Sequence, residues 1–434
     1  MLNTVWRIGT MACKPGGRLG TVRSMADSRS IWNEYPAPRY VLGILAAIAV
    51  AVGIWARFWH LGHVETPIFD EIYFPVFANA FLHHKTAFDV HPPLGKFLLA
   101  AGIYLFGDTP LGWRIVPAIF GLLNVGLLLG IWQAMSGGRA GSLMLLLLAG
   151  LDGSLIVYSR TGLIDGILLA GILSTVLLAW QTERGKSLLP LTLALGLAVT
   201  IKWIGLGAIV PVLFILWRRG RLIDFLPLLP LSALVYFLVT VAGQAIGGVH
   251  SPVSEALNWH WQALNYQLKL TATHPYASRW WEWPLMLRPV LFYYQGVGSG
   301  TEVIDAMSSP VVWGAADIAV LLTLGTLLKR AFSRDGTLLD SPLAPLLIGY
   351  LSFWLPWSLV TRVVFQYHYL PSYAFALLML AYWLHELWKR SPWASLLIVG
   401  LLMASSLYFL PFAIGTPLST LWLSRHVWYY HWIY

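Results

Sequence analysis

The sequence predicts an all-α polytopic membrane protein of about eleven transmembrane helices with two large outer loops, on three observations. Of its 434 residues 58% are hydrophobic and only 11% charged, with a mean hydropathy of +0.68, which leaves too little polar surface to coat a soluble chain of this length. Apolar stretches meeting or approaching the ~20 residues that cross a bilayer as a helix recur along the chain. Lysine and arginine gather in alternate loops, as they do on the cytoplasmic side of a membrane.

Residues 1–39 carry Arg7, Lys14, Arg18, Arg23, Arg29 and Arg39 without a sustained apolar period, so they are expected to form a disordered basic cytoplasmic tail. Trp6–Met11 is too short for a cleavable signal peptide. Candidate spans then begin near residues 40, 113, 141, 161, 188, 203, 224, 311, 342, 368 and 394. The two at 188 and 203 are short and could form one broken helix. Counted from an inside tail, the loops predicted inside hold Arg139, then Arg184 and Lys186, then Arg218, Arg219 and Arg221, then Lys329, Arg330 and Arg334, then Lys389 and Arg390. Each predicted cytoplasmic loop is therefore basic. Reading 94–106 as another span would invert all later loops, so that stretch is expected as an amphipathic helix at the outer surface. The resulting division is a transmembrane core at 40–243 with a first outer loop at 60–112, a large outer loop at 244–310, and C-terminal helices with an aromatic tail at 311–434. Both long loops are rich in Trp, Tyr, His and Pro, and are expected to be ordered. The single cysteine, Cys13, excludes an internal disulfide and a cysteine-based metal site. The net charge of +9 lies in loops and does not point to nucleic acid.

The chemistry-bearing residues fall on the outer side of this map. Asp70 and Glu71 follow the first span, and His91 and Lys96 close the same loop within DVHPPLGK. Arg114 opens the second span. Arg160 and Asp165 straddle the next outer turn, Lys202 with Trp203 marks another, His274 begins HPYASRWWEWPLMLRP, and Arg362 and His368 flank the tenth span. Charges at a membrane boundary are costly unless paired or lining a polar cavity, so their convergence marks a candidate site. A carboxylate facing Arg, Lys and His fits attack by a hydroxyl on a carbon that carries a phosphate leaving group. The carboxylate would act as general base, and the cations would neutralise the departing oxygens. No Gly-rich nucleotide cradle is evident, which disfavours a nucleotide-sugar donor.

At these residues the chain resembles the protein O-mannosyltransferases of the dolichyl-phosphate-mannose type, which have the glycosyltransferase C fold. The motifs recur in order from residue 65 to 375: Asp70 and Glu71, HPPLGK at 91–96, Arg114 with Pro117, Ala118 and Gly121, SRxxxxD at 159–165, KWxG at 202–205, HPYxSRWWxWPLxxRP at 274–289 and FxYHYLP at 365–371. The resemblance implies inverting transfer of mannose from a polyprenyl monophosphate carrier to Ser or Thr of a secreted or membrane protein, in the cell membrane, with an outer-facing active site. Asp70 is then the expected general base, and Glu71 orients acceptor or sugar. Arg114, Lys202 and Arg362 face the donor phosphate, and the segment holding His274, Tyr276 and Trp281 walls the cleft. Membrane lipids, the export machinery and a second copy are the further partners implied. No cofactor is expected. No metal is expected either, although His83, His84 and His91 share a loop with the acids. The large loop is too short for the β-trefoil insert of eukaryotic members, which points to a bacterial type. SPVVWG at 309–314 departs from the usual NPVxWW.

Plainer readings stand beside these. Adjacent acids are often a solvated turn, and Arg114 and Lys202 could be snorkelling anchors. Arg160 and Asp165 could pair with each other, His91 and His274 could fix loops by hydrogen bonds, and the tryptophans could form an interfacial belt. A related transferase acting on lipid or envelope glycan is the enzymatic alternative. A transporter fits least, because the charges gather at one face rather than mid-span.

Overall fold

Serine or threonine followed by proline sets where several helices begin, because proline pre-forms the first helical turn and needs no partner for its missing N–H. Thr109–Pro110, Ser251–Pro252, Ser309–Pro310 and Ser391–Pro392 each sit at such a start. Thr109 Oγ1 accepts a hydrogen bond from Gly112 N at 3.2 Å as an N-cap.

The computed structural model describes residues 36–333 and 338–432. Most of the expected basic tail lies outside the described residues, and 36–39 already belong to the first helix. Helix α1 (Pro36–Phe58) leads into a first loop that contains a 3-10 turn (Phe69–Ile72), α2 (Phe74–Leu82) and α3 (Leu94–Phe106). There follow α4 (Pro110–Ala134), α5 (Arg139–Leu151), α6 (Gly153–Arg160), α7 (Asp165–Gln181) and α8 (Leu189–Val199). Next come α9 (Trp203–Arg218), whose first turns are 3-10, and α10 (Leu222–Ile246). The second loop holds α11 (Pro252–Lys269) and an antiparallel hairpin of β1 (Leu291–Val297) and β2 (Gly300–Asp305), a pair of strands that the all-α expectation did not include. The chain ends with α12 (Pro310–Phe332), α13 (Leu343–Leu359), α14 (Leu370–Arg390), α15 (Pro392–Ile414) and α16 (Thr420–His426).

Among the described residues five helices are long and apolar enough to cross a membrane alone, and the pair α5 and α6, bent by 52° at their junction, is so only when taken together. The remaining predicted starts fall on the shorter helices α7, α8, α9 and α13 and on α14. The chain is a multi-pass membrane protein. The bend between α5 and α6 has a chemical cause at Asp152, whose Oδ1 caps α6 by accepting from Leu155 N at 2.9 Å. Its Oδ2 accepts from Ser308 Oγ and Tyr373 OH, both at 2.6 Å.

Helix α14 forms the centre. Every residue from Leu370 to Ala381 is buried, the pattern of a helix enclosed by others on all sides. Helices α5, α12, α13 and α15 pack around it. Close approach of α1 to α5 depends on Gly53, where a Cβ would lie 2.4 Å from the Gly150 carbonyl oxygen. The fully buried Arg57 fills the adjacent gap by donating to the Gly53 and Gly150 carbonyls at 2.9 and 2.8 Å.

Candidate active site

Glu71 is fully buried and all its acceptor positions are taken. Oε1 accepts from Arg114 Nε at 2.8 Å and Gly162 N at 2.6 Å, and Oε2 accepts from Arg114 Nη2 at 2.8 Å and Ile68 N at 3.0 Å. Arg114, in the second turn of α4, spends its remaining donors on the Leu61, Val64 and Thr66 carbonyls at 3.1, 2.9 and 3.5 Å. This bidentate pair ties the first loop to α4 and to the turn after α6. It corrects two sequence-based expectations. Arg114 has no donor left for a phosphate, and Glu71 has no free oxygen to orient a sugar or acceptor.

Asp70 differs from its neighbour in every respect. It is half-buried, and its carboxylate has no hydrogen bond or ion pair among the described residues. Burial raises its pKa from 3.8 to about 6, with Lys202 acting in the opposite direction and Asp165 and Asp89 reinforcing the rise. The residue before it, Phe69, has φ +47°, a left-handed conformation that costs a non-glycine residue ~1–3 kcal/mol and persists only where packing enforces it. Here the Phe69 ring stacks on Phe292 of β1 at 4.5 Å and meets Phe365 and Tyr367 edge-on. The hairpin and the FxYHYLP segment thus hold the turn that presents Asp70.

Lys202, at the start of α9, donates to both oxygens of Asp165 at 2.9 Å, and its ammonium lies 5.5 Å from the Phe74 ring and 5.3 Å from the Tyr367 ring. Asp165 therefore pairs with Lys202 and not with Arg160. Arg160 donates to the Ala56 and Trp59 carbonyls at 2.6 and 2.9 Å, a structural tie to the end of α1. Lys96 is likewise buried and committed, to Asp89 at 2.5 Å and the His91 carbonyl at 2.6 Å.

A cavity of about 1340 Å³ opens between the start of α9, the second loop and residues 357–368. His91, Lys202, His274, Trp281, Arg362 and His368 all contribute to its wall, whereas Tyr276 lies off it under the Arg288 guanidinium. Asp70 does not line the cavity, but Lys202, which does, acts electrostatically on its carboxylate. Arg362 donates to the Val363 carbonyl at 2.8 Å and forms no salt bridge among the described residues. Burial pushes the pKa values of His91 and His368 well below their usual range, and the nearby cations deepen the effect, so both rings are neutral at pH 7. His368 is packed against Trp283 and Trp357, and His274 fixes its own loop by accepting from Tyr276 N at 3.1 Å. Among the described residues no three His, Cys, Asp or Glu side chains group as a metal site would require.

Sequence reasoning did not select Tyr158, Arg279, Asp305 or Tyr367. Tyr367 and Arg279 lay inside quoted motifs but carried no charge pattern that set them apart. Asp305, at the end of β2, is fully buried with neither oxygen hydrogen-bonded, and nothing in its sequence context announces burial. The departure at 309–314 is accommodated locally: Ser309 lies at the N-cap of α12 and its Oγ is 2.5 Å from Ser405 Oγ.

Sequence profiles of dolichyl-phosphate-mannose-protein mannosyltransferases match residues 47–113 and 90–243, and the profile of the C-terminal four-transmembrane region of protein O-mannosyltransferases matches 253–432. The chain is 26% identical to the polyprenol-phosphate-mannose–protein mannosyltransferase of Mycolicibacterium smegmatis, over 89% of this chain and 92% of that one. It is 28% identical to the protein of the same name from Mycobacterium tuberculosis, over 73% and 75%. The fold is similar to the Saccharomyces cerevisiae Pmt1–Pmt2 complex bound to the sugar donor, at TM-score 0.79 and 14% identity over 91% of this chain and 93% of that one. It is also similar, at TM-score 0.57 and 14% identity over 88% and 77%, to apo ArnT from Cupriavidus metallidurans. With family profiles matching residues 47–243 and 253–432, this chain belongs to the protein O-mannosyltransferases.

Proposed function

We propose that this protein moves mannose from a polyprenyl monophosphate carrier to a Ser or Thr hydroxyl of a protein, with inversion at the sugar. The observation that carries the chemistry is Asp70: a carboxylate left without partners, raised to about 6, and placed by a neighbouring acid that is itself fully engaged. Asp70 takes the hydroxyl proton while the hydroxyl oxygen attacks the anomeric carbon. The bond from that carbon to the phosphate oxygen breaks, and its electron pair leaves on the phosphate. Lys202 and Arg362 offset the charge that develops there. Because phosphate departs without protonation, the neutral His91 and His368 are not required as acids. Glu71 and Arg114 act by positioning Asp70.

In this reading the cavity opens on the outer face and the basic loops lie in the cytoplasm. The core at 40–243 carries the base, and the loop at 244–310 supplies the wall against which the acceptor lies. The acceptor is a chain leaving the cell through the export machinery, and the enzyme works as a dimer. The test is transfer of labelled mannose from polyprenyl phosphate mannose to a Ser/Thr-rich peptide by membranes containing wild type or Asp70→Asn. Peptide label lost in Asp70→Asn supports the reading. Sugar appearing on lipid or glycan instead of peptide overturns the acceptor class, and no transfer by folded wild type overturns the reaction.

A further inference from the structure

Helix α11 has three faces. Ala256, Trp259 and Ala263 are buried against the protein. Ser254, Asn258, Gln262 and Lys269 form a polar exposed edge. Between these two, Val253, Leu257, Trp261, Leu264 and Leu268 are 54%, 59%, 66%, 42% and 75% exposed. At ~100° per residue these five positions fall within an arc of about 80°. A soluble surface would not place five large apolar side chains in one unbroken stripe.

The depth of the helix decides what covers that stripe. The Tyr236 hydroxyl is 2.7 Å from His260 Nε2 and accepts from Trp203 Nε1 at 2.9 Å. His260 Nδ1 lies 2.5 Å from the Ala256 carbonyl, which makes Nδ1 the protonated nitrogen and Nε2 the acceptor for Tyr236. Tyr236 stands ten residues before Ile246, the end of α10, or ~15 Å along the helix. Helix α10 has 25 residues and is ~37 Å long, about 7 Å more than the hydrocarbon layer. Even if that whole surplus projected on this side, His260 would pack ~8 Å inside the hydrocarbon. Helix α11 thus folds back along the outer half of α10, which itself exposes Leu234, Leu238 and Ile246.

We propose that α11 is sunk into the membrane leaflet on the side where the cavity opens, with its Val253-to-Leu268 stripe against lipid acyl chains. The helix is then the rim at which the cavity meets the bilayer. Tyr266, Gln267 and Leu268 line the cavity, and Trp259 Nε1 donates to the Asp89 carbonyl at 2.7 Å, which fastens the helix to the first loop. Acyl chains are the fitting occupant because the stripe holds no charge and continues a surface already facing lipid.

The experiment is site-directed spin labelling of the full chain in lipid nanodiscs, in a Cys13→Ser background. Nitroxides attached through Leu257→Cys, Trp261→Cys and Leu264→Cys are compared with Asn258→Cys and Gln262→Cys. The stripe positions are expected to show a several-fold higher ratio of oxygen to nickel-complex accessibility than the polar positions. Uniformly low ratios at all five positions would place the whole helix in water and overturn the proposal. Dipolar broadening at the stripe when two labelled copies share a disc would show a second copy on this face and overturn it equally. If Trp261→Cys does not fold, the two leucine positions give the same comparison.

Discussion

Asp70 carries a cost that its neighbours do not relieve, and that cost has a sign. Its folded pKa, about 6, exceeds the 3.8 of a freely solvated aspartate, so folding favours the protonated form. The charged form destabilises the fold fully above pH 6, and the penalty vanishes as pH falls through 3.8. Asp70→Asn should therefore raise the thermal midpoint at pH 7.5, by an amount worth about 1–3 kcal/mol, and leave it unchanged near pH 4. The same substitution should lower kcat by ~10²–10⁴-fold, the usual contribution of a general base. In the wild type, kcat/KM should rise about tenfold per pH unit below 6 and level off above it. Thermal melts and a pH–rate profile check the two halves separately. Glu71 reverses the pattern: Glu71→Gln leaves a buried Arg114 guanidinium without its countercharge, which costs ~3–5 kcal/mol. A lower midpoint together with lost activity is expected there, and an unchanged midpoint would show that the pair does not hold the loop.

At the scale of elements, the sequence was most informative where a local rule acts. Helix starts follow Ser–Pro and Thr–Pro steps, and the stretch expected at 94–106 forms a helix of 13 residues, shorter than the five long apolar ones. Contacts that join distant elements were not legible. Lys202 and Asp165 are 37 residues apart and Arg114 and Glu71 are 43 apart, so spacing could not tell a paired cation from one free to meet phosphate. Asp152 shows the same limit, since a lone acid between two apolar runs reads as a simple helix break. In the fold its carboxylate collects Leu155, Ser308 and Tyr373 and joins α6 to α12 and α14. Asp152→Ala removes a cap and leaves two buried hydroxyls short of an acceptor, a loss of ~3–5 kcal/mol by the usual values for such groups. Differential scanning in nanodiscs would read this as a midpoint lowered by several degrees, whereas a loss confined to activity would place Asp152 in the chemistry instead.

At the scale of the whole molecule, a cluster of arginines among the described residues bears on which compartment the cavity faces. Arg218 donates to the Asp340 and Ser341 carbonyls, Arg219 to Thr182, and Arg221 to Glu183 and Lys186. The ends of α7, α9 and α10 are thus laced together at one basic rim, far along each helix from the end that carries Asp165 and Lys202. Cations are retained on the cytoplasmic side during insertion, so the rim should be inside and the cavity outside. With Cys13→Ser as background, Thr271→Cys at the cavity mouth should react with a membrane-impermeant maleimide in intact cells, and Ser187→Cys beside the basic rim should react only after permeabilisation. The reverse order would place the cavity in the cytoplasm, where an acceptor that is exported before modification could not reach Asp70. Labelling therefore tests the orientation and the proposed acceptor together, while the mannose-transfer assay in open membranes, where both faces are accessible, tests the chemistry alone.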